Sequence, residues 1–114
     1  MAVRVSYAKI LSGAATSGAV NCREILPCAI QLPAAFTGTT VTFTGSTLDE
    51  GNSGNPFTTY GAIYNSAGQI SYAVAANRVV ALNPADFAGV RSLKIVSGSN
   101  EGADRLIAIL YRDE

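Results

Sequence analysis

The side chains that usually carry out catalysis are scarce in this sequence. There is no histidine, so neither a Ser–His nor a Cys–His arrangement can be assembled within one chain, and no serine lies in a G-x-S-x-G turn. Carboxylates remain. Asp49/Glu50 and Glu101/Asp104 are pairs of the kind that, facing each other across a cleft, act as acid and nucleophile on a glycosidic bond. Both pairs sit in hydrophilic stretches where solvation accounts for them, so no catalytic residue is expected. The run Asp49-Glu50-Gly51-Asn52-Ser53-Gly54-Asn55 is rich in oxygen ligands but lacks the spacing of a calcium loop and its distal bidentate glutamate. Cys22 and Cys28 have no histidine and no C-x-x-C partner, which argues against zinc. If the chain between them is extended they lie far beyond disulfide reach, and only a tight turn at Pro27 would pair them. Gly13 and Gly18 flank Ala14-Ala15-Thr16-Ser17 with no lysine to follow, so no phosphate loop is present. The expectation is a protein without cofactor, metal or enzymatic activity.

The composition points toward contact rather than chemistry. The chain has 114 residues, the size of one typical domain, and is expected to form a single domain over 1–114. Its apolar fraction, 48%, is ordinary, but charged residues make up only 14% against about 25% in an average soluble domain. Charge is what normally keeps a surface free of partners. A surface made instead of Ala, Ser, Thr, Gly and Asn suits close, neutral protein contact, or is simply that of a small, low-charge β-domain. Eight basic residues balance eight acidic ones, which leaves no excess for neutralising phosphates, so direct nucleic-acid binding is not expected. Met1-Ala2-Val3-Arg4-Val5 lacks the apolar core of a signal peptide, and no apolar run approaches the roughly 18 residues that span a membrane. Synthesis in the cytoplasm, without membrane association, is the reading that fits.

The elements that would position any site are strands. No stretch of ten or more residues has a convincing helical period, whereas short alternating runs recur between Gly, Asn, Pro and Ser. Strands are predicted at Val3 to Lys9, Ala19 to Arg23, Cys28 to Leu32, Thr39 to Thr44, Thr58 to Tyr64, Gln69 to Val74, Arg78 to Leu82, Ser92 to Ser97 and Arg105 to Arg112. Eight to nine short strands in so small a domain imply two packed sheets, a jelly-roll-like β-sandwich of the all-β class. Asn65 and Gly68 mark a hairpin between Tyr64 and Ile70. Asn83-Pro84 predicts one short helical turn near 84–88 with Phe87 tucked inward. The polar stretch from Ser46 to Pro56 is the longest loop, where partner contact would concentrate.

Alternation also bears on burial. In Val41-Thr42-Phe43-Thr44 the apolar side chains share one face. Leu106-Ile107-Ala108-Ile109-Leu110-Tyr111 is apolar on both, so that strand is either central in the sandwich or covered on its outer side by another chain. The run from Val3 to Lys9 alternates like a strand that either pairs within its own domain or adds to a neighbour's sheet edge. The candidate partner-binding residues are therefore Val3, Arg4, Val5 and Tyr7 on that run, with Asp49, Glu50, Asn52 and Asn55 on the long loop. The chain has no tryptophan, but Tyr7, Tyr60, Tyr64, Tyr72 and Tyr111 are available as platforms for a sugar, which leaves a carbohydrate-binding jelly roll as the alternative reading.

From about Leu32 onward the sequence resembles the small β-sandwich proteins that tailed bacteriophages use as capsid cement or decoration proteins. The resemblance rests on Leu32-Pro33-Ala34-Ala35-Phe36-Thr37-Gly38 leading into Val41-Thr42-Phe43, on Tyr64-Asn65-Ser66-Ala67-Gly68-Gln69, and on Val80-Ala81-Leu82-Asn83-Pro84-Ala85-Asp86-Phe87-Ala88-Gly89. It continues through Leu93-Lys94-Ile95-Val96-Ser97-Gly98 and Ala103-Asp104-Arg105-Leu106-Ile107. It implies a virion protein on the capsid surface that bridges neighbouring major capsid subunits and has no catalytic residues to transfer; a symmetric dimer or trimer at the shell's contact points is expected, and under the alternative reading the sugar-binding jelly roll would belong to a viral tail or head fibre. Residues 1–30 fall outside the resemblance and are a possible capsid- or neighbour-contacting region.

Overall fold

A computed structural model describes residues 3–22, 25–46 and 60–113. Eleven strand segments are present: β1 (Val3–Ile10), β2 (Val20–Asn21), β3 (Ile25–Gln31), β4 (Thr40–Ser46), β5 (Gly61–Ala62), β6 (Tyr64–Asn65), β7 (Gly68–Gln69), β8 (Ser71–Ala73), β9 (Val79–Ala81), β10 (Ser92–Ser97) and β11 (Arg105–Asp113). They form an antiparallel sheet in the order β1-β11-β3-β9 and a second in the order β2-β10-β4-β5, with β8 also beside β4.

The segments β5 and β8 are two halves of one edge strand. Gly61 and Ala62 pair with Gly45 and Thr44, and Ser71, Tyr72 and Ala73 continue along Thr42, Val41 and Thr40. Between them the chain leaves the sheet as the small hairpin β6-β7, and a 2.9 Å bond from Ile70 N to Ile63 O closes its base. Counted this way, eight strand positions remain. The first pairs with the last, the second with the seventh, the third with the sixth and the fourth with the fifth, and the pairs β11·β3 and β10·β4 join these ladders into two sheets. A long antiparallel hairpin wrapped over itself gives this pairing, the arrangement of a jelly roll.

The core lies between the sheets and follows from period-two alternation. Ala8, Ile10, Ile30, Leu32, Ile107 and Ile109 point inward from the first sheet, and Val20, Val41, Phe43, Leu93 and Ile95 from the second. Phe43 stands at the centre with its ring edge-on to Phe87 at 5.1 Å and to Tyr72 at 6.1 Å between centroids. The expected short turn is a 3₁₀ segment, Pro84–Phe87, capped by the Asn83 side chain accepting from Ala85 N. Its purpose is visible in Phe87, which it delivers into the core fully buried.

Some boundaries differ from those read in the sequence. The third strand begins at Ile25 rather than Cys28 and runs through Pro27. Proline lacks a ladder donor, and the strand accommodates it with a bulge: Pro27 pairs with Tyr111 and Ala29 with Leu110, leaving Cys28 as the extra residue. The bulge turns Pro27 inward, where it is buried. Cys22 and Cys28 are both free, and burial pushes the Cys22 thiol up to about 11. The second strand shrinks to Val20–Asn21. The hairpin read at Tyr64 to Ile70 is present, with Gly68 at φ 126° and Asn65 Oδ1 accepting from Ala67 N. Most of the polar loop expected from Ser46 to Pro56 lies outside the described residues; Ser46 itself ends β4.

Candidate interaction surface

The reading of Glu101 as a solvated loop carboxylate is corrected by the fold. Glu101 is 1% exposed, and the loops after β1, β3 and β10 converge on it. Its carboxylate accepts from Thr37 N (3.1 Å), Thr37 Oγ1 (3.0 Å), Gly38 N (3.2 Å), Ser97 Oγ (3.2 Å) and Arg105 Nε (3.0 Å). Its own backbone ties in the loop after β1, donating to Ala14 O at 2.9 Å and accepting from Gly13 N at 2.7 Å. Burial raises the carboxyl pKa, but the bonds from Thr37, Arg105 and Ser97 outweigh it and hold the group below the ordinary glutamate range. A carboxylate with all its acceptor capacity spent on its own loops is a structural clasp, not an acid or a nucleophile. Asp104, exposed, accepts from Ser12 N at 2.9 Å, which with Lys9 at 3.5 Å keeps it ionised below the usual range. Glu101 and Asp104 thus serve to fix loops at one end of the sandwich; Asp49 and Glu50 lie outside the described residues.

The clasp also explains Leu32-Pro33-Ala34-Ala35-Phe36-Thr37-Gly38. Phe36 is buried, Thr37 and Gly38 donate to Glu101, and a Cβ on Gly38 would collide with Ser97 Oγ and stand 3.0 Å from the Phe36 ring. Ser97 cannot swing aside without leaving Glu101. Gly38→Ala is therefore expected to destabilise the fold by about 1–3 kcal/mol, measured as a lower urea midpoint at unchanged slope.

What the sandwich presents to a partner differs sharply between its two outer faces. The outward positions of the second sheet are Thr40, Thr42, Thr44, Ser71, Lys94 and Val96, by alternation with the buried Val41, Phe43 and Ile95. That face is hydroxyl-rich. The first sheet is the reverse. Its register places Tyr7, Ala108, Gln31 and Val79 in one row and Val5, Leu110, Ala29 and Ala81 in the next, with Leu106 beside Lys9. Val5, Tyr7, Leu106 and Val79 are 49%, 62%, 56% and 57% exposed. Contiguous apolar patches of this kind mark protein contact sites. The last strand is thus central in its sheet, between β1 and β3, yet nothing among the described residues covers its outer side.

Of the residues singled out for partner binding, Val3, Arg4, Val5 and Tyr7 all lie on β1, and Val5 and Tyr7 belong to the apolar face. Asp49, Glu50, Asn52 and Asn55 lie outside the described residues. The start of β1 and the end of β4 nevertheless reach the same end of the sandwich, opposite the Glu101 clasp. Sequence reasoning did not single out Leu106 and Val79, which join Val5 and Tyr7 as exposed apolar side chains of the first sheet. The signal was present in the two-sided apolarity of the last strand, but only the register assigns a face. The tyrosines are spread over the molecule: Tyr7 and Tyr111 are on the first sheet, Tyr60 lies beneath the Lys94 ammonium of the second, Tyr64 is on the hairpin leaving it, and Tyr72 packs on Phe43. Among the described residues no cluster of His, Cys, Asp and Glu could hold a metal ion, and no helix is long and apolar enough to cross a membrane. No protein family matches the chain, and no curated protein or solved structure is significantly similar to it.

Proposed function

We propose that this chain is a non-enzymatic structural protein of the virion that binds the outside of a tailed-phage capsid and cements neighbouring major capsid subunits. The observation that carries this reading is the apolar outer face of the first sheet. It is built from Val5, Tyr7, Leu106 and Val79 around small Ala29, Ala81 and Ala108, on a chain with few charges to desolvate. Contact over such a face gains apolar burial with little polar penalty. The folded body suits the task, since its loops at one end are locked by the Glu101 clasp and a rigid surface loses little entropy on docking. The sequence resemblance from Leu32 onward points the same way. Made in the host cytoplasm, the protein would join the shell there without a membrane step.

Co-sedimentation with capsids purified free of this chain tests the reading, together with capsid integrity on heating. Binding and a raised rupture temperature are expected; neither occurring would sink it. Leu106→Lys is the sharper probe. Leu106 is exposed, so the substitution leaves folding stability within about 0.5 kcal/mol, while a second lysine beside Lys9 on the contact face is expected to weaken capsid binding at least tenfold. Unchanged binding would move the contact to another face.

A further inference from the structure

A two-sheet sandwich has four edge strands, and this one blunts three of them. In the second sheet β2 is two residues long, and the opposite edge is broken in its middle by the β6-β7 hairpin. In the first sheet β9 has only three residues. Short and interrupted edges are how sandwiches avoid pairing with other chains. The fourth edge is unlike the others. The eight-residue β1 pairs without interruption to β11 on one side and has no strand on the other among the described residues.

The free part of that edge can be delimited. Lys9 O accepts from Gly18 N at 3.0 Å, so the groups of Lys9 point away from β11, and by antiparallel alternation those of Val3, Val5 and Tyr7 do too. Gly18 closes the edge at Lys9, and among the described residues nothing pairs with the stretch from Val3 to Tyr7. We propose that this stretch pairs antiparallel with the same stretch of a second copy, about a two-fold axis at Val5, joining two four-stranded sheets into one of eight.

Three features favour a second copy and this register. Directly opposite residues must point to the same side of the joint sheet, so the two residue numbers must sum to an even value. A sum of eight would set Arg4 against Arg4 of the other copy, and sums of twelve or fourteen would oppose Lys9, whose carbonyl Gly18 already occupies. A sum of ten has neither fault: Val5 meets Val5, Arg4 meets Ser6, and Val3 meets Tyr7. It uses every open group, about six main-chain hydrogen bonds. The chain's formal charge of zero brings no net repulsion between copies. The pairing also lays the two apolar faces side by side, with Val5 and Tyr7 at the seam. The inference stands on the edges alone and does not depend on capsid binding.

Cysteine scanning on the otherwise intact chain tests it, with the untreated pattern of Cys22 and Cys28 as control. Opposed hydrogen-bonded residues have Cα atoms about 5.5 Å apart, inside disulfide range, whereas the two copies of residue 7 would be offset by four residues along the strands, about 13 Å. Under mild oxidation Val5→Cys is expected to give a covalent dimer and Tyr7→Cys none beyond the control. Val5→Lys, which places two ammonium groups against each other at the axis, is expected to halve the mass in light scattering with the circular dichroism unchanged. A wild-type monomer at all concentrations, a V5K protein that stays dimeric, or cross-linking through Y7C in place of V5C would each overturn the proposal.

Discussion

Phe43→Ala is expected to destabilise the protein by about 3–5 kcal/mol, which for a domain with a total of about 5–15 kcal/mol leaves it near the threshold of folding. Phe43 is fully buried, and no neighbour is free to move into its place. Phe87 meets it edge-on at 5.1 Å, but Phe87 is held by the capped 3₁₀ turn, and Tyr72, at 6.1 Å, is held by the ladder to Val41. The cavity would stay open. Urea unfolding followed by tyrosine fluorescence checks this. The midpoint should fall steeply at constant slope, and Phe43→Leu, which refills part of the volume, should recover roughly half the loss. A stability loss below about 1 kcal/mol would mean that the two sheets collapse onto the gap more readily than their register allows.

The second large effect belongs to Glu101. Glu101→Ala strands Thr37 N, Gly38 N, Ser97 Oγ and the largely buried Arg105 without their acceptor, and removing one partner of a buried ion pair costs about 3–5 kcal/mol. Glu101→Gln keeps the shape but presents an amide where five donors converge, so it should cost less than alanine yet remain plainly destabilising. The pH dependence carries the sign. Because the folded carboxyl titrates below its unfolded value, the clasp contributes fully above the unfolded pKa of about 4.3, and that contribution is lost as pH falls through the lower folded value. Stability measured from pH 6 downward should drop more steeply in the wild type than in Glu101→Gln. Parallel curves would show that the acid sensitivity arises elsewhere.

These two residues mark what a sequence can and cannot reveal here. Phe43 was legible because Val41-Thr42-Phe43-Thr44 alternates, and alternation is a local property that directly encodes a buried face. Phe87 was legible for the same kind of reason, since Asn83-Pro84 fixes a short turn whose fourth residue must point inward. Glu101 was not. It stands between Asn100 and Gly102 in a stretch that reads as solvent-exposed, and its burial depends on loops that start more than sixty residues upstream. Only Arg105, one helical turn away in number though on a strand, hinted at a pair. The bulge at Cys28 was hidden likewise: a proline normally ends a strand, and only the register with Leu110 and Tyr111 shows the strand running through it. For the interaction surface, the sequence located β1 and flagged the last strand as apolar on both sides. Which of those side chains end up outside together is decided by pairing between residues some hundred positions apart, which no local pattern contains.

The hairpin that interrupts the edge of the second sheet also makes the protein a ready carrier. The edge strand resumes on its far side against the next residues of β4, the bond from Ile70 to Ile63 seals the neck, and Asn65 Nδ2 donates to Asp86 Oδ1 at 3.4 Å beside it, while Ser66 and Ala67 at the tip are exposed. Each doubling of an inserted loop costs only about 0.6 kcal/mol. A foreign peptide spliced at that tip would ride on the folded body without entering it.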